Sequence, residues 1–100
     1  MIYVDSIQRG RTPWRGGAYS HLMSDESVGE LLEFATSIGL RLSWFQHKSP
    51  GSLPHFDVTP GFRARAIAAG AQPVDGRGLV EAMRRYRERN PGPWTPQPLL

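Results

Sequence analysis

A chain of 100 residues, 39% of them hydrophobic, has the size of one domain and can enclose one core. The absence of cysteine excludes disulfide staples, thiolate nucleophiles and cysteine-ligated zinc. The twelve Lys and Arg outnumber nine Asp and Glu to give a formal charge of +3, and all but one of the basic residues are arginine, a side chain suited to phosphate and carboxylate; the balance leans toward an anionic small molecule or nucleic acid.

In chain order, Ile2-Tyr3-Val4 is a short β-prone apolar run closed by Asp5 and reads as a buried first strand. An acidic residue this early does not fit a signal peptide, and no apolar run approaches the roughly 20 residues of a membrane span, so a cytoplasmic protein is expected. Residues 6–24 carry Gly10, Pro13, Gly16 and Gly17 without helical periodicity and read as a long loop ending near Tyr19, Ser20 and His21. Val28, Leu31, Leu32, Ala35 and Ile38 then recur on one helix face; Ser24, Asp25 or Ser27 can cap this helix, Ser27 and Glu30 having capping-box spacing, and Gly39 is placed to end it. Residues 40–45 alternate enough to predict a second strand, followed by an excursion through Gln46, His47 and Ser49-Pro50-Gly51.

His55-Phe56-Asp57-Val58 reads as extended, and Thr59-Pro60 is a strong helix start, with Gly70 as its stop. Residues 71–74 predict a short third strand at a sheet edge, because Pro73 removes a ladder donor. Asp75-Gly76-Arg77-Gly78 turns the chain into a third helix that Asn90-Pro91 closes, with Arg84, Arg85, Arg87 and Arg89 read as its solvated face. The domain is expected over residues 1–90, with a proline-rich tail at 91–100 that includes Trp94.

The order β-α-β-α-β-α predicts a minimal Rossmann-like α/β domain of two or three layers around a short, mostly parallel sheet. In such a sheet the carboxyl ends of the strands share one edge, and the long strand-to-helix loops mark that edge as the site. It would gather Asp5, His21, Gln46, His47, His55, Asp57 and Asp75.

His55 and Asp57 are one residue apart in an extended segment, so their side chains point the same way while Phe56 turns to the core. With Asp5 and His21 they would make a two-histidine, two-carboxylate set able to hold a divalent ion such as Mn²⁺, Fe²⁺ or Zn²⁺. Without metal, His21, His55 and Asp57 are the candidate catalytic acid–base residues. Arg11, Trp14 and Arg15 form an aromatic-plus-cation patch able to stack on a base and hold a phosphate, with Gln46 as a further substrate-binding candidate. The competing reading is structural: Trp14 pins the loop, Asp57 anchors the helix start and Asp5 caps a turn.

Tyr3-Val4-Asp5, His21-Leu22, Trp44-Phe45-Gln46, His55-Phe56-Asp57 and Ala66 followed by Gly70-Ala71 together resemble the pattern of a family of small bacterial and phage proteins catalogued as a domain of unknown function. The resemblance spans roughly residues 1–74 and implies that Asp5, His21, His55 and Asp57 belong to one shared feature. Phe56 stands where the family often has tyrosine. The resemblance brings no activity with it; the residues themselves leave two function classes: a metal-dependent or acid–base hydrolase acting on a nucleotide or nucleic-acid phosphoester, and a non-catalytic module binding a nucleotide, RNA or protein. A chain this small also leaves room for stabilisation by homodimerisation.

Overall fold

The computed structural model describes residues 1–10, 17–46 and 53–92. Its elements are β1 (Ile2–Val4), β2 (Gln8–Arg9), β3 (Ala18–Ser24), α1 (Val28–Ser37), a 3₁₀ turn (Leu42–Trp44), β4 (Phe45–Gln46), β5 (His55–Val58), α2 (Pro60–Ala68), β6 (Gln72–Pro73) and α3 (Gly76–Arg89). The fold is α/β, but the sheet is mixed and mostly antiparallel rather than Rossmann-like. Its strands run in the order β4-β5-β3-β1-β6, with β2 beside the start of β3, and only β1 and β6 pair in parallel.

Two sequence expectations fail for one reason. The segment read as a loop over residues 6–24 contains β3, the strand at the centre of the sheet, which pairs antiparallel with both β1 and β5. The strand expected over residues 40–45 is mostly a 3₁₀ turn, and only Phe45–Gln46 joins the sheet. β3, and not this segment, supplies the strand between β1 and β5. The edge position of Pro73 and the same-side projection of His55 and Asp57 agree with the sequence reading.

Alternation along the strands divides the core. Ile2, Val4, Leu22, Phe56 and Val58 face α1 and α2, joining Leu31, Ala35 and Ala66 in one cluster. Met23 faces the other way, toward Ala82 and Tyr86 of α3, with Tyr3, Leu53, Leu79 and Met83 around it. The helices therefore lie on both faces of the sheet.

Their ends follow local chemistry. Ser27 accepts a hydrogen bond from Glu30 N–H, Thr59 from Phe62 N–H and Asp75 from Gly78 N–H, which satisfies donors that the first turn leaves unpaired. Gly39 and Gly70 end α1 and α2 at φ +93° and +111°, where a side chain would be strained.

The arginines of α3 are not simply a solvated face. Arg85 Nε donates to Asp25 Oδ2 at 2.9 Å, and Arg89 Nη1 donates to the Asp25 carbonyl at 2.9 Å. The N-terminal amine donates to the same carboxylate at 3.1 Å. Asp25 is buried, so these cations pin α3 and the start of β1 to one acidic residue. Arg84 fits the surface reading, bridging Glu81 and Glu88 along the helix. No helix among the described residues is long and apolar enough to cross a membrane.

Candidate functional site

The site begins where the β1–β3 ladder breaks. β1 pairs Val4 with Leu22, whereas β2 pairs Gln8 with Tyr19, so three residues (5–7) oppose two (20–21). This is a bulge, a device that bends a strand and re-aims its side chains. Asp5 N–H still donates to the His21 carbonyl at 3.1 Å, but the return bond changes partner. His21 N–H donates to Asp5 Oδ1 at 2.7 Å, and the Asp5 carbonyl accepts from Arg63 Nε at 2.9 Å.

The second oxygen of Asp5 is also committed. Oδ2 accepts from His21 Nδ1 at 2.7 Å and from Gln8 Nε2 at 2.7 Å. A buried carboxylate needs this many donors to offset its lost hydration. The consequence falls on His21: with its proton on Nδ1, the neutral ring presents a bare Nε2 lone pair on the far side.

His55 is set the same way by a different acceptor. Its Nδ1 lies 2.8 Å from the Leu53 carbonyl, which can only accept, so the proton is again on Nδ1 and Nε2 is free. Register completes the group. Asp57 lies directly opposite His21 across β3 and β5, and His55 precedes it by one alternation on the same face.

Asp57 Oδ1 is 3.4 Å from His55 Nε2 and 3.9 Å from His21 Nε2, and the three ligating atoms lie within 4.8 Å of one another. Ligand atoms about 2.1 Å from one tetrahedral ion stand roughly 3.4 Å apart; the His55–Asp57 pair has that spacing and the other separations are wider, so a shared divalent cation would draw the three side chains closer together. Asp57 Oδ1 is buried and has no hydrogen-bond partner among the described residues. A buried carboxylate oxygen in that condition calls for a cation or a donor. The residues are otherwise partly accessible, at 29%, 23% and 27% side-chain exposure for His21, His55 and Asp57, which leaves a ligand a way in.

Electrostatics favour charge on His21 when no cation is present. The hydrogen bond to Asp5 holds its pKa above the ordinary 6.5, with burial opposing and the charges of Asp5 and Asp57 adding to the rise. The rings of Tyr19 and His55 flank it edge-on, with centroids at 5.4 and 5.5 Å.

Residues 2–86 match the family described as Protein of unknown function (DUF4031). The chain belongs to this family. The matched span includes Asp5, Gln8, His21, His55, Asp57 and Arg63 and ends within α3. No curated protein and no solved structure matches the chain.

Within this DUF4031 domain, the structure brings Asp5, His21, His55 and Asp57 together, although Asp5 sits behind His21 and its oxygens are engaged. Gln46 lies directly opposite His55 on β4 and is exposed at the margin of the group. Asp75 is engaged elsewhere, as the cap of α3. Arg11, Trp14, Arg15, His47 and the tail beyond residue 92 lie outside the described residues.

Gln8 and the Leu53 carbonyl were not anticipated. Gln8 sits in a segment read as loop and acquires its place only through the bulge, while a backbone carbonyl leaves no mark in a sequence.

Proposed function

We propose that this domain is a divalent-metal-dependent hydrolase of nucleotide or nucleic-acid phosphoesters, with His21, His55 and Asp57 as the ligands. The observation that carries this reading is the common aim of two imidazole Nε2 atoms, each fixed by an acceptor behind it, at one carboxylate oxygen that has no hydrogen-bond partner among the described residues. Histidine ligands typically carry such an acceptor on the other ring nitrogen, where it sets the tautomer and raises basicity. Asp5 has that role for His21 and the Leu53 carbonyl for His55. Two nitrogens and one oxygen suit Zn²⁺, Mn²⁺ or Fe²⁺ and leave coordination positions open.

A bound cation would supply a water of lowered pKa and a Lewis acid for the phosphoryl oxygen. In the hydrolysis, the water oxygen bonds to phosphorus, the P–O ester bond breaks, and the departing oxygen leaves as an alcohol carrying a proton from the water. The net charge of +3 suits an anionic substrate. The Asp5–His21 pair favours one other reading, in which His21 acts without metal as a general base held in place by Asp5.

Turnover of a panel of nucleotides and short nucleic acids by protein loaded with Mn²⁺ or Zn²⁺ separates these readings. Metal-dependent hydrolysis that disappears in Asp57→Asn, with an unchanged circular dichroism spectrum, is the expected result. Hydrolysis that persists in Asp57→Asn overturns the metal reading. Metal-independent hydrolysis abolished by His21→Gln would favour the acid–base reading, and salt-dependent binding without turnover would favour a binding module.

A further inference from the structure

Two arginines among the described residues are half-buried, Arg63 and Arg85. They are satisfied very differently. Arg85 meets the Asp25 carboxylate, whereas Arg63 has one neutral partner, the Asp5 carbonyl, bonded through Nε. The terminal nitrogens Nη1 and Nη2 of Arg63 have no hydrogen bond or ion pair among the described residues.

Its surroundings make an unpaired cation costly. Arg63 stands in the first turn of α2, where the helix dipole opposes positive charge and where α2 has no acidic residue. The carboxylate of Asp5 belongs to the residue whose carbonyl Arg63 binds, 58 positions away in the chain, but His21 and Gln8 occupy its oxygens. A partly desolvated guanidinium whose outer fork has no partner among the described residues is suited to an anion.

Asp5 places that fork relative to the proposed metal ligands. Its carbonyl binds Arg63 and its carboxylate binds His21, so the guanidinium and the imidazole are held by the two ends of one residue. We propose that Arg63 anchors the phosphoryl group of the substrate, its Nη atoms binding two oxygens while another oxygen reaches the ion held by His21, His55 and Asp57. This inference rests on the metal-site reading and adds to it the group that selects the substrate class. A tetrahedral oxyanion has enough oxygens to be shared between a cation and a bidentate fork, and a carboxylate does not.

Arg63→Gln is the informative variant. Glutamine carries a nitrogen at the same bond distance from Cα as arginine Nε, so the donor to the Asp5 carbonyl can be kept while the outer fork is removed. Inorganic phosphate is titrated calorimetrically into the parent and Arg63→Gln proteins, each with and without Mn²⁺, after a separate Mn²⁺ titration followed by electron paramagnetic resonance. The expected result is phosphate affinity at least tenfold weaker in Arg63→Gln, with Mn²⁺ affinity and melting temperature unchanged.

Equal phosphate affinity in the two proteins overturns the proposal while leaving the metal site standing, as does stronger binding of acetate than phosphate by the parent. Absence of Mn²⁺ binding in the parent defeats the metal-site reading instead. The metal-free titrations then decide Arg63 by themselves: Arg63-dependent phosphate binding upholds it as the anion anchor, and Arg63-independent or absent binding overturns it.

Discussion

Asp5→Asn keeps the size of the side chain behind His21 but replaces one acceptor oxygen with a donor. The amide cannot accept from His21 N–H and from Nδ1 at once, and it favours the tautomer whose proton sits on Nε2, where a metal ligand must be bare. Divalent-ion affinity is therefore expected to fall about 10- to 100-fold, as read by competition with a chelating dye. The same variant tests the titration of His21. In the metal-free fold its pKa is raised, chiefly by the Asp5 hydrogen bond, so protonation is favoured in the folded state. Its contribution to stability is present in full below the unfolded value near 6.5 and is lost as pH rises through the folded value. Metal requires the neutral ring, so affinity must decline as pH drops through that raised value. Asp5→Asn should move both transitions to lower pH in an NMR titration of the ring. Ser20 offers an independent check of packing at this scale. Its hydroxyl is fully buried and has no partner among the described residues, so Ser20→Ala is expected to be neutral or to stabilise by up to about 1 kcal/mol in urea unfolding. A clear loss of stability would contradict that assignment.

At the scale of elements, α2 both follows the ligand strand β5 and carries Arg63. Thr59→Ala removes its N-cap and should cost about 1 kcal/mol of unfolding free energy by urea denaturation. The helices were legible in the sequence because their signals are local: Ser27 with Glu30, Thr59 with Pro60, Asp75, and the glycines at 39 and 70. β3 was not. Its buried positions include Ser20 and Ser24, and His21 lies on the opposite side, so the alternation of polarity that marks a half-buried strand is absent. Its partners lie up to 38 residues away in the chain, as in Ser20 opposite Val58, and no local pattern encodes that pairing. The His55 and Asp57 half of the site could be read from alternation alone. The His21 half depended on β3, and the support from Gln8 depended on a one-residue register shift.

For the molecule as a whole, strand direction was the misread quantity. Alternating strands and helices suggested a parallel sheet, but the 3₁₀ turn at Leu42–Trp44 leaves β4 to pair antiparallel at an edge while β3 occupies the centre. Asp5, just past β1, and Asp57, late in β5, nonetheless meet at His21, because both strands run antiparallel to β3 between them and so point the same way, while His55 opens β5. Closure of the three layers relies on Asp25. Burial alone would raise its carboxyl, but hydrogen bonds from Arg85 and the N-terminal amine, with the charges of the amine and Arg89, hold it below the ordinary 3.8. A depressed folded pKa contributes stability above the unfolded value and loses it as pH falls below 3.8 toward the folded value. Asp25→Asn should lower the melting temperature at neutral pH and flatten its acid dependence in a calorimetric pH series. The central claim is a cation held by His21, His55 and Asp57, and elemental analysis after dialysis against Mn²⁺ or Zn²⁺ tests it most directly. The comparison is between untagged parent protein and the His55→Ala, Asp57→Ala double variant, both checked for folding by circular dichroism. One equivalent of metal in the parent and none in the folded variant is the predicted result; a metal-free parent, or equal metal in both proteins, would contradict it.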